Sequence, residues 1–598
     1  MPSRPELTGT FGAVSSTHWL ASSAGLAILE RGGNAFDAAV AAGFALQVVE
    51  PHSCGPASDV SIALYSAVTG QVTIICGQGP MPRIATAERF RALGLGQIPG
   101  SGLLPACVPG GFGGWMRLLA EYGTMRVSDV LQHAIGYATA GYPILPATAM
   151  AIRLLAPLFA EEWPESGRVY LRDGTPPEPG SRVRNQVLAA TYRRILAEAE
   201  AAGPGREAQI EAANDAFYRG FVAEAIDAYV RDTAVLDATG RRNRGLLTAD
   251  DLAAWQPTAE PPASLDYGRY TVCKPGPWSQ GPVFLQQLAI LEPMDLSSLG
   301  LDSAAYIHAV AEAAKLALAD REAWYGDPSG TPVPMDALLS REYATRRRAL
   351  IGPQAADSPQ PGVLDGQRSW MPVADPDSFD QPDNEVLAQL RNGIPTVVRQ
   401  TARSGDTCTV MAADRDGNLV AAVPSGGWLK SSPVIPGLGF PLGTRGQTMW
   451  LAPGHPNSLV PGRRPRTTLS PTVALREGKP FLAFGTPGGD QQDQWTLQFF
   501  LAVTEFGLDL QSATETVAFH TDHFPASFAP RTARPGVLVV EEQCGAAVIG
   551  ELRDRGHRVD MVPAYSQGKV CAAGFDPERG LIRAAAGPRG RQAYAMGR

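Results

Sequence analysis

Two unlike kinds of text meet at residue 407, and that junction constrains the fold more than any other feature of the chain. Residues 352–406 contain PQPG and DPDSFDQPDNE and few clusters of large apolar side chains, so they read as an exposed, poorly structured connector. Directly afterwards the pattern turns strongly β. CTVMAADR (408–415), the turn Asp416-Gly417-Asn418 and LVAAVPS (419–425) form one hairpin signal. TVALRE (472–477), Gly478-Lys479 and FLAFGTP (481–487) form a second. By propensity alone Thr407 is an ordinary β-branched residue at a strand start. Its place at the junction is what singles it out.

Elsewhere the chain reads as mixed helix and strand. Residues 22–50 form two helical stretches parted at Gly32-Gly33, the second being NAFDAAVAAGFALQVVE, with Asn34 as cap and Asp37 three residues on. A helix that apolar must be buried, here against a sheet. Two short strands, DVSIALYS from Asp59 and QVTIICGQ from Gln71, follow across a Thr69-Gly70 turn. Residues 124 to 320 read as largely helical, broken by the proline-rich loops TPPEPG and EPPAS.

With 598 residues, 44% hydrophobic and 18% charged, the chain has material for a substantial core. The net charge of −8 argues against nucleic acid as a partner. No apolar run approaches the roughly 18 residues of a membrane span, and the amino terminus lacks a leader pattern. Seven cysteines, odd in number and without a CxxC pair, read as reduced thiols of a cytoplasmic protein. No GxSxG, HExxH or phosphate-loop pattern occurs, and no cofactor or metal is expected. His520 and His523 have HxxH spacing but no completing cluster, and His52 near Cys54 reads as a loop contact.

Several phrases together resemble a known family. They are GGNAFDAAVAAGFALQVVEPHSCGPASD (32–59), GSGLLPACVPGGFGGWMRLLAEYGTM (100–125), the GDP at 326–328, SGDTCTVMAADRDGN (404–418), RPRTTLSPTV (464–473) and FGTPGGDQQDQ (484–494). In order and spacing they resemble the γ-glutamyltranspeptidases of the N-terminal-nucleophile hydrolase superfamily, in a divergent branch. The resemblance implies an α+β fold, a four-layer αββα sandwich formed by two self-processed fragments as one intertwined body. Residues 1–406 would be the large portion, with 351–406 as flexible connector, and 407–598 the small portion. The partners implied are a small-molecule substrate and the two fragments themselves as a heterodimer.

The same resemblance implies roles for residues. Thr407 takes the nucleophile position, and the Asp406–Thr407 bond is the self-cleavage site. Ser425 takes the place of a second hydroxyl close to the nucleophile. Gly488 and Gly489 fall at the oxyanion hole, although a plain tight turn after the strand is the competing reading. Thr467 and Thr468 fall at a paired-hydroxyl position for substrate carboxylate. The chemistry is self-consistent, because a Thr hydroxyl needs a base within reach. The α-amine freed by cleavage, with an unperturbed pKa of about 7.7–8.0, supplies one.

Departures from the family pattern bear on the substrate. Gln78 stands where the glutamyl-gripping Arg falls, Thr448 at or near the Asp that holds the α-amino group, and Arg445 at the preceding Gln position. Gly427 replaces an Asn, and Thr409 replaces a His two residues beyond the nucleophile, with apolar Met411 next to it. Arg445 reads either as an anion binder or as a structural arginine; Asp59 either as pocket floor or as surface strand residue. The leading expectation is a Thr hydrolase or acyltransferase acting on a small amide-linked, γ-glutamyl-like or other acidic acyl group. The alternatives are a C–C bond hydrolase of the same family, acting on a carbonyl-bearing side chain in alkylproline antibiotic biosynthesis, and an inactive binding homologue.

Overall fold

Fifteen consecutive buried residues form the helix Ala35–Val49, and its first turn shows why it begins where it does. The Asn34 side chain accepts from the amides of Phe36 and Asp37, and the Asp37 carboxylate accepts from the Asn34 amide, a reciprocal cap. Asp37 also accepts from the amides of Thr124 and Met125, tying the helix start to the next helical layer. The preceding helix, Trp19–Glu30, ends before Gly32, whose φ of 93° suits the break. This computed structural model describes residues 2–330, 332–364, 369–370, 407–529 and 531–598.

The helix lies on a seven-stranded antiparallel sheet whose order is Tyr594–Gly597, Gly12–Ser16, Val410–Asp414, Leu419–Ser425, Asp59–Ser66, Gln71–Gly77 and Thr258–Glu260. A second seven-stranded antiparallel sheet runs Leu7–Gly9, Leu581–Ala586, Cys571–Asp576, Lys479–Gly485, Thr472–Arg476, Tyr270–Lys274 and Ala263–Tyr267. The two sheets stack face to face. Between them lies a core rich in alanine, with Ala13, Ala63, Met411, Ala413 and Ala421 from one sheet and Val473, Ala483, Ala573 and Ala584 from the other. Strand alternation turns the intervening residues outward. Val410, Ala412, Val420 and Ala422 therefore pack with the buried residues of Ala35–Val49. On the second sheet, Val272, Leu482, Phe484 and Ala572 pack with those of Gly281–Leu291, Ala304–Trp324 and Gln492–Thr504.

Both expected hairpins are present, Val410–Asp414 with Leu419–Ser425 and Thr472–Arg476 with Lys479–Gly485. Asp414 builds the first turn, its carboxylate accepting from the amides of Asp416 and Asn418 and from that of Ala35. Residues 124–320 are largely helical, as expected, but that reading is incomplete. It misses Thr258–Glu260, Ala263–Tyr267 and Tyr270–Lys274, which complete the edges of both sheets. Two of these carry Ala, Ser, Asp and Glu, residues of low strand preference, and they are strands because a neighbouring strand offers a ladder.

The connector expected at 351–406 is described only through residue 364 and at 369–370; Asp406 lies outside the described residues. Residues 352–364 form no helix or strand, yet they are fastened along Ala304–Trp324. The Gly352 carbonyl meets His308 Nε2 at 2.9 Å, the Ala356 amide donates to Glu312, the Lys315 ammonium donates to the Ala356 carbonyl, and the Gly362 amide donates to Asp320. Among the described residues no helix is long and apolar enough to cross a membrane.

Candidate active site

The site begins as a row of backbone pairings. Thr407 bridges to Ser425, Ser425 pairs with Asp59, and Val60 pairs with Gly77, so that Gln78 is the next residue beyond the row. Residues directly opposite in an antiparallel ladder project to the same face, so Thr407, Ser425 and Asp59 share one. That face looks toward the second sheet. A Cβ on Gly485 would lie 2.9 Å from Met411 Cε, 3.3 Å from Val423 Cγ2 and 3.9 Å from Thr409 Cγ2, so a glycine there lets the sheets close. Thr407 is 5% exposed, and its hydroxyl donates to the Ser425 hydroxyl at 3.1 Å. The Cys408 amide donates to the Pro424 carbonyl at 3.0 Å, and this bond fixes the strand head. The Cys408 side chain points the other way, its thiol donating to Glu50. Burial pushes the Glu50 carboxyl above its usual range, against the pull of Lys569 and of the Thr17, Cys408 and Gln592 hydrogen bonds.

After Gly485 the chain turns through Thr486 and Pro487 into Gly488 and Gly489, with φ of 143° and 56°. A Cβ at Gly488 would stand 2.2 Å from the Trp495 ring, so both the angle and the space demand glycine. The turn is held by charge. The Gln280 side-chain amide donates to the Gly489 carbonyl at 3.1 Å, Arg321 donates to the Gln280 side-chain oxygen Oε1 at 2.9 Å, and Arg321 also pairs with Asp490. Asp490 in turn accepts from the Ser527 amide. Behind it Glu322 pairs with Arg321 and Arg466 and faces His455. Burial alone would raise the Glu322 carboxyl, but the two guanidinium groups hold it well below the usual carboxylate range. Burial drives His455 down to about 4 despite Glu322.

The expected substrate-side residues divide. Thr467 is locked into backbone pairing, its amide donating to the Trp278 carbonyl and its carbonyl accepting from the Gln280 amide. Its hydroxyl accepts from the Leu469 amide at 3.3 Å, whereas the Thr468 hydroxyl is buried with no partner. Thr448 braces its own loop, its hydroxyl directed at the Arg445 and Arg466 carbonyls, both at 3.0 Å. Gln78 is 1% exposed; its amide nitrogen donates to the Gly79 carbonyl, and its oxygen has no partner. Arg445 opens the 3-10 turn Arg445–Thr448 and donates from Nε to Asp59 Oδ2 at 3.0 Å. Asp59 is thus buried, and its surface reading is overturned. Burial lifts its carboxyl to about 6 against the opposing pull of Arg445.

Sequence reasoning missed Gln280, Arg321 and Asp490, which hold the glycine turn from three separate segments. Only the GGDQQDQ phrase hinted at one of them. The histidine candidates are separate structural contacts. His520 pairs with Asp522, His523 Nδ1 accepts from the Gly536 amide, and His52 bonds the Thr148 hydroxyl rather than Cys54. A trio not anticipated, His308, Glu312 and His557, brings three potential ligand atoms within 4.8 Å, with the Lys315 ammonium on Glu312 at 2.7 Å.

Known proteins resemble this chain over nearly its whole length. The family described as Gamma-glutamyltranspeptidase matches residues 21–597. The Acylase ACY 1 proenzyme of Pseudomonas sp. (strain SE83) is 32% identical over 590 residues, covering 97% of this chain and 92% of that one. Among solved structures, a form of LmbA2991 is 50% identical with a TM-score of 0.92, each chain covered in full. The cephalosporin acylase from Bacillus halodurans is 29% identical with a TM-score of 0.82, covering 100% of this chain and 97% of that one. The family match over residues 21–597, with a relative and a solved structure aligned nearly end to end, places this protein in the γ-glutamyltranspeptidase family as a hydrolase or transferase of the N-terminal-nucleophile type.

Proposed function

We propose that the chain cuts itself before Thr407 and then uses that residue to take an acyl group from a small amide. In the first step the Thr407 hydroxyl oxygen attacks the Asp406 carbonyl carbon. The C–N bond to Thr407 breaks, leaving an ester and a free α-amine. Water hydrolyses the ester, so Asp406 ends one fragment as a carboxylate and Thr407 begins the other. In turnover the α-amine accepts the hydroxyl proton as the oxygen attacks the substrate carbonyl. The Gly488 and Gly489 amides stabilise the oxyanion, a contribution of roughly 2.7–4 kcal/mol per donor in comparable sites. The departing amine takes the proton back, and water or a second amine releases the acyl group from Thr407.

The observation that carries this reading is the Thr407 hydroxyl 3.1 Å from that of Ser425, on the face that looks toward the second sheet, whose strand Lys479–Gly485 leads into the glycine turn. Ser425 then steadies the attacking oxygen, Gln78 and Thr468 offer unpartnered polar atoms to the acyl group, and Thr448 shapes the loop that carries Arg445. The four-layer αββα reading and the division into 1–406 and 407–598 belong to the same proposal. In the first sheet Gly12–Ser16 lies between Tyr594–Gly597 and Val410–Asp414, so the two fragments would remain laced together after cleavage. The test is mass spectrometry of the purified protein. Two fragments divided before Thr407 are expected, with Thr407→Ala remaining one chain; a wild-type chain still whole after prolonged incubation would defeat the proposal.

A second reading keeps the nucleophile and changes the bond. Asp59 is bonded to Arg445, Thr448 replaces the family's Asp, and the glutamyl head group therefore lacks its usual partners. A C–C bond next to a carbonyl would then be hydrolysed when the leaving carbon departs as an enolate-like anion. Comparing γ-glutamyl anilides with vinylogous β-dicarbonyl acids as substrates separates the two readings.

A further inference from the structure

Arg445 is an incomplete ion pair. Its side chain is 1% exposed, yet it bonds Asp59 only through Nε, and both Nη1 and Nη2 are buried without a hydrogen-bond partner. Unpaired N–H groups on a buried cation are costly, and a guanidinium that served only to neutralise Asp59 would present its fork to that carboxylate. Here neither fork nitrogen bonds that carboxylate. The guanidinium carbon stands 5.5 Å from the ring centroids of both Trp428 and Phe528, so two aromatic faces fix its position. Asp59 holds the near edge from the same strand row that carries Thr407 and Ser425. Two inter-strand gaps of about 4.8 Å put the Asp59 backbone roughly 10 Å from that of Thr407. Nearby, the Gln78 oxygen is also buried without a partner.

We infer that the open Nη fork of Arg445, held in place by Asp59, is a bidentate clamp for a terminal carboxylate on the acyl group whose carbonyl Thr407 attacks. This rests on the acyl-Thr407 reading only for the direction in which the acyl group lies. The clamp selects a short dicarboxylic half-acid rather than a glutamyl group. One carboxylate fits the fork, but an α-ammonium beside it would need a second anion, and Asp59 is already engaged by Nε. Asp59 is a positioning residue in this scheme: it aims the guanidinium and touches no substrate.

Binding to the purified wild-type protein tests the clamp without requiring turnover. The probes are simple dicarboxylates from malonate to adipate, their diamides, and L-glutamate, measured by calorimetry. The best dicarboxylate should bind about 100-fold more tightly than its diamide, as charge-assisted bonds to a buried fork imply. L-Glutamate should bind about tenfold more weakly than glutarate. In Arg445→Met the preference for acid over diamide should collapse, and Arg445→Lys should recover only a fraction of it, since a point charge lacks the fork. Wild-type protein that binds no dicarboxylate better than its diamide would overturn the inference, whatever the variants do. So would a preference that persists in Arg445→Met. Fragment analysis on the same samples reports separately on cleavage before Thr407, so failure of the clamp and failure of the nucleophile assignment give different results.

Discussion

The two regions that make up the candidate site are built by opposite means. Thr407 and Ser425 are small uncharged residues placed by a β ladder, each position set by backbone bonds that any side chain would make. The Gly488–Gly489 turn has no ladder; it is set by the buried Arg321 and Gln280 and by the part-buried Asp490 beside it, backed by Glu322 and Arg466. The difference teaches where the site is fragile. A ladder absorbs the loss of one side chain, whereas an ion network that loses one member strands its partners in a medium that solvates them poorly.

The largest expected effect is therefore on the turn side. Arg321→Met takes the ion-pair partner from Asp490 and one of two guanidinium partners from Glu322, and removal of one partner from such a pair costs about 3–5 kcal/mol. Urea unfolding should show that loss; a variant within about 1 kcal/mol of wild type would break the contrast between the two regions. Gly488→Ala comes next, because it adds a Cβ against Trp495 at a φ that side chains rarely adopt. A fall in kcat of about 100-fold with KM little changed is expected, comparable to loss of one oxyanion donor, and steady-state kinetics on any substrate found will read it.

On the ladder side the effects are smaller. Ser425→Ala removes one neutral hydroxyl bond to Thr407, worth about 1 kcal/mol, so turnover should slow by about fivefold while the melting curve barely moves. The smallest effect is a pH slope. Asp59 is faced by Arg445, Cys107 and Tyr218, and burial drives the last two above their ordinary values, so both are neutral near pH 7. Because its folded pKa is raised to about 6, Asp59 takes a proton as the pH falls through 6, and a second carboxylate arriving at Arg445 favours that uptake further. Dicarboxylate affinity should therefore weaken as pH rises from 6 to 8, by a few-fold, and Asp59→Asn should flatten the slope. A slope unchanged in that variant would place the titrating group elsewhere.

Much of this was legible locally. The Asn34–Asp37 cap, both hairpins and the glycine pair each depend on residues within a few positions of one another, and their geometry follows from backbone chemistry. Edge strands such as Thr258–Glu260 were not, because their own residues do not prefer the extended state. Nor was the setting of Arg445. From the text alone it was equally an anion binder or a structural residue, and the partner that decides its orientation stands 386 positions away.

What the chain determined by itself is the placing of the proposed nucleophile and the turn after it: a threonine where the β pattern begins, and a glycine pair whose angles other residues rarely adopt. Both are properties of short segments, set by sterics and hydrogen bonding close along the chain. What only the tertiary structure decided is how that turn is held and which charge is left with open donors. Those depend on ion pairs between distant segments, whose strength comes from shared burial, and burial is a property of the packed whole.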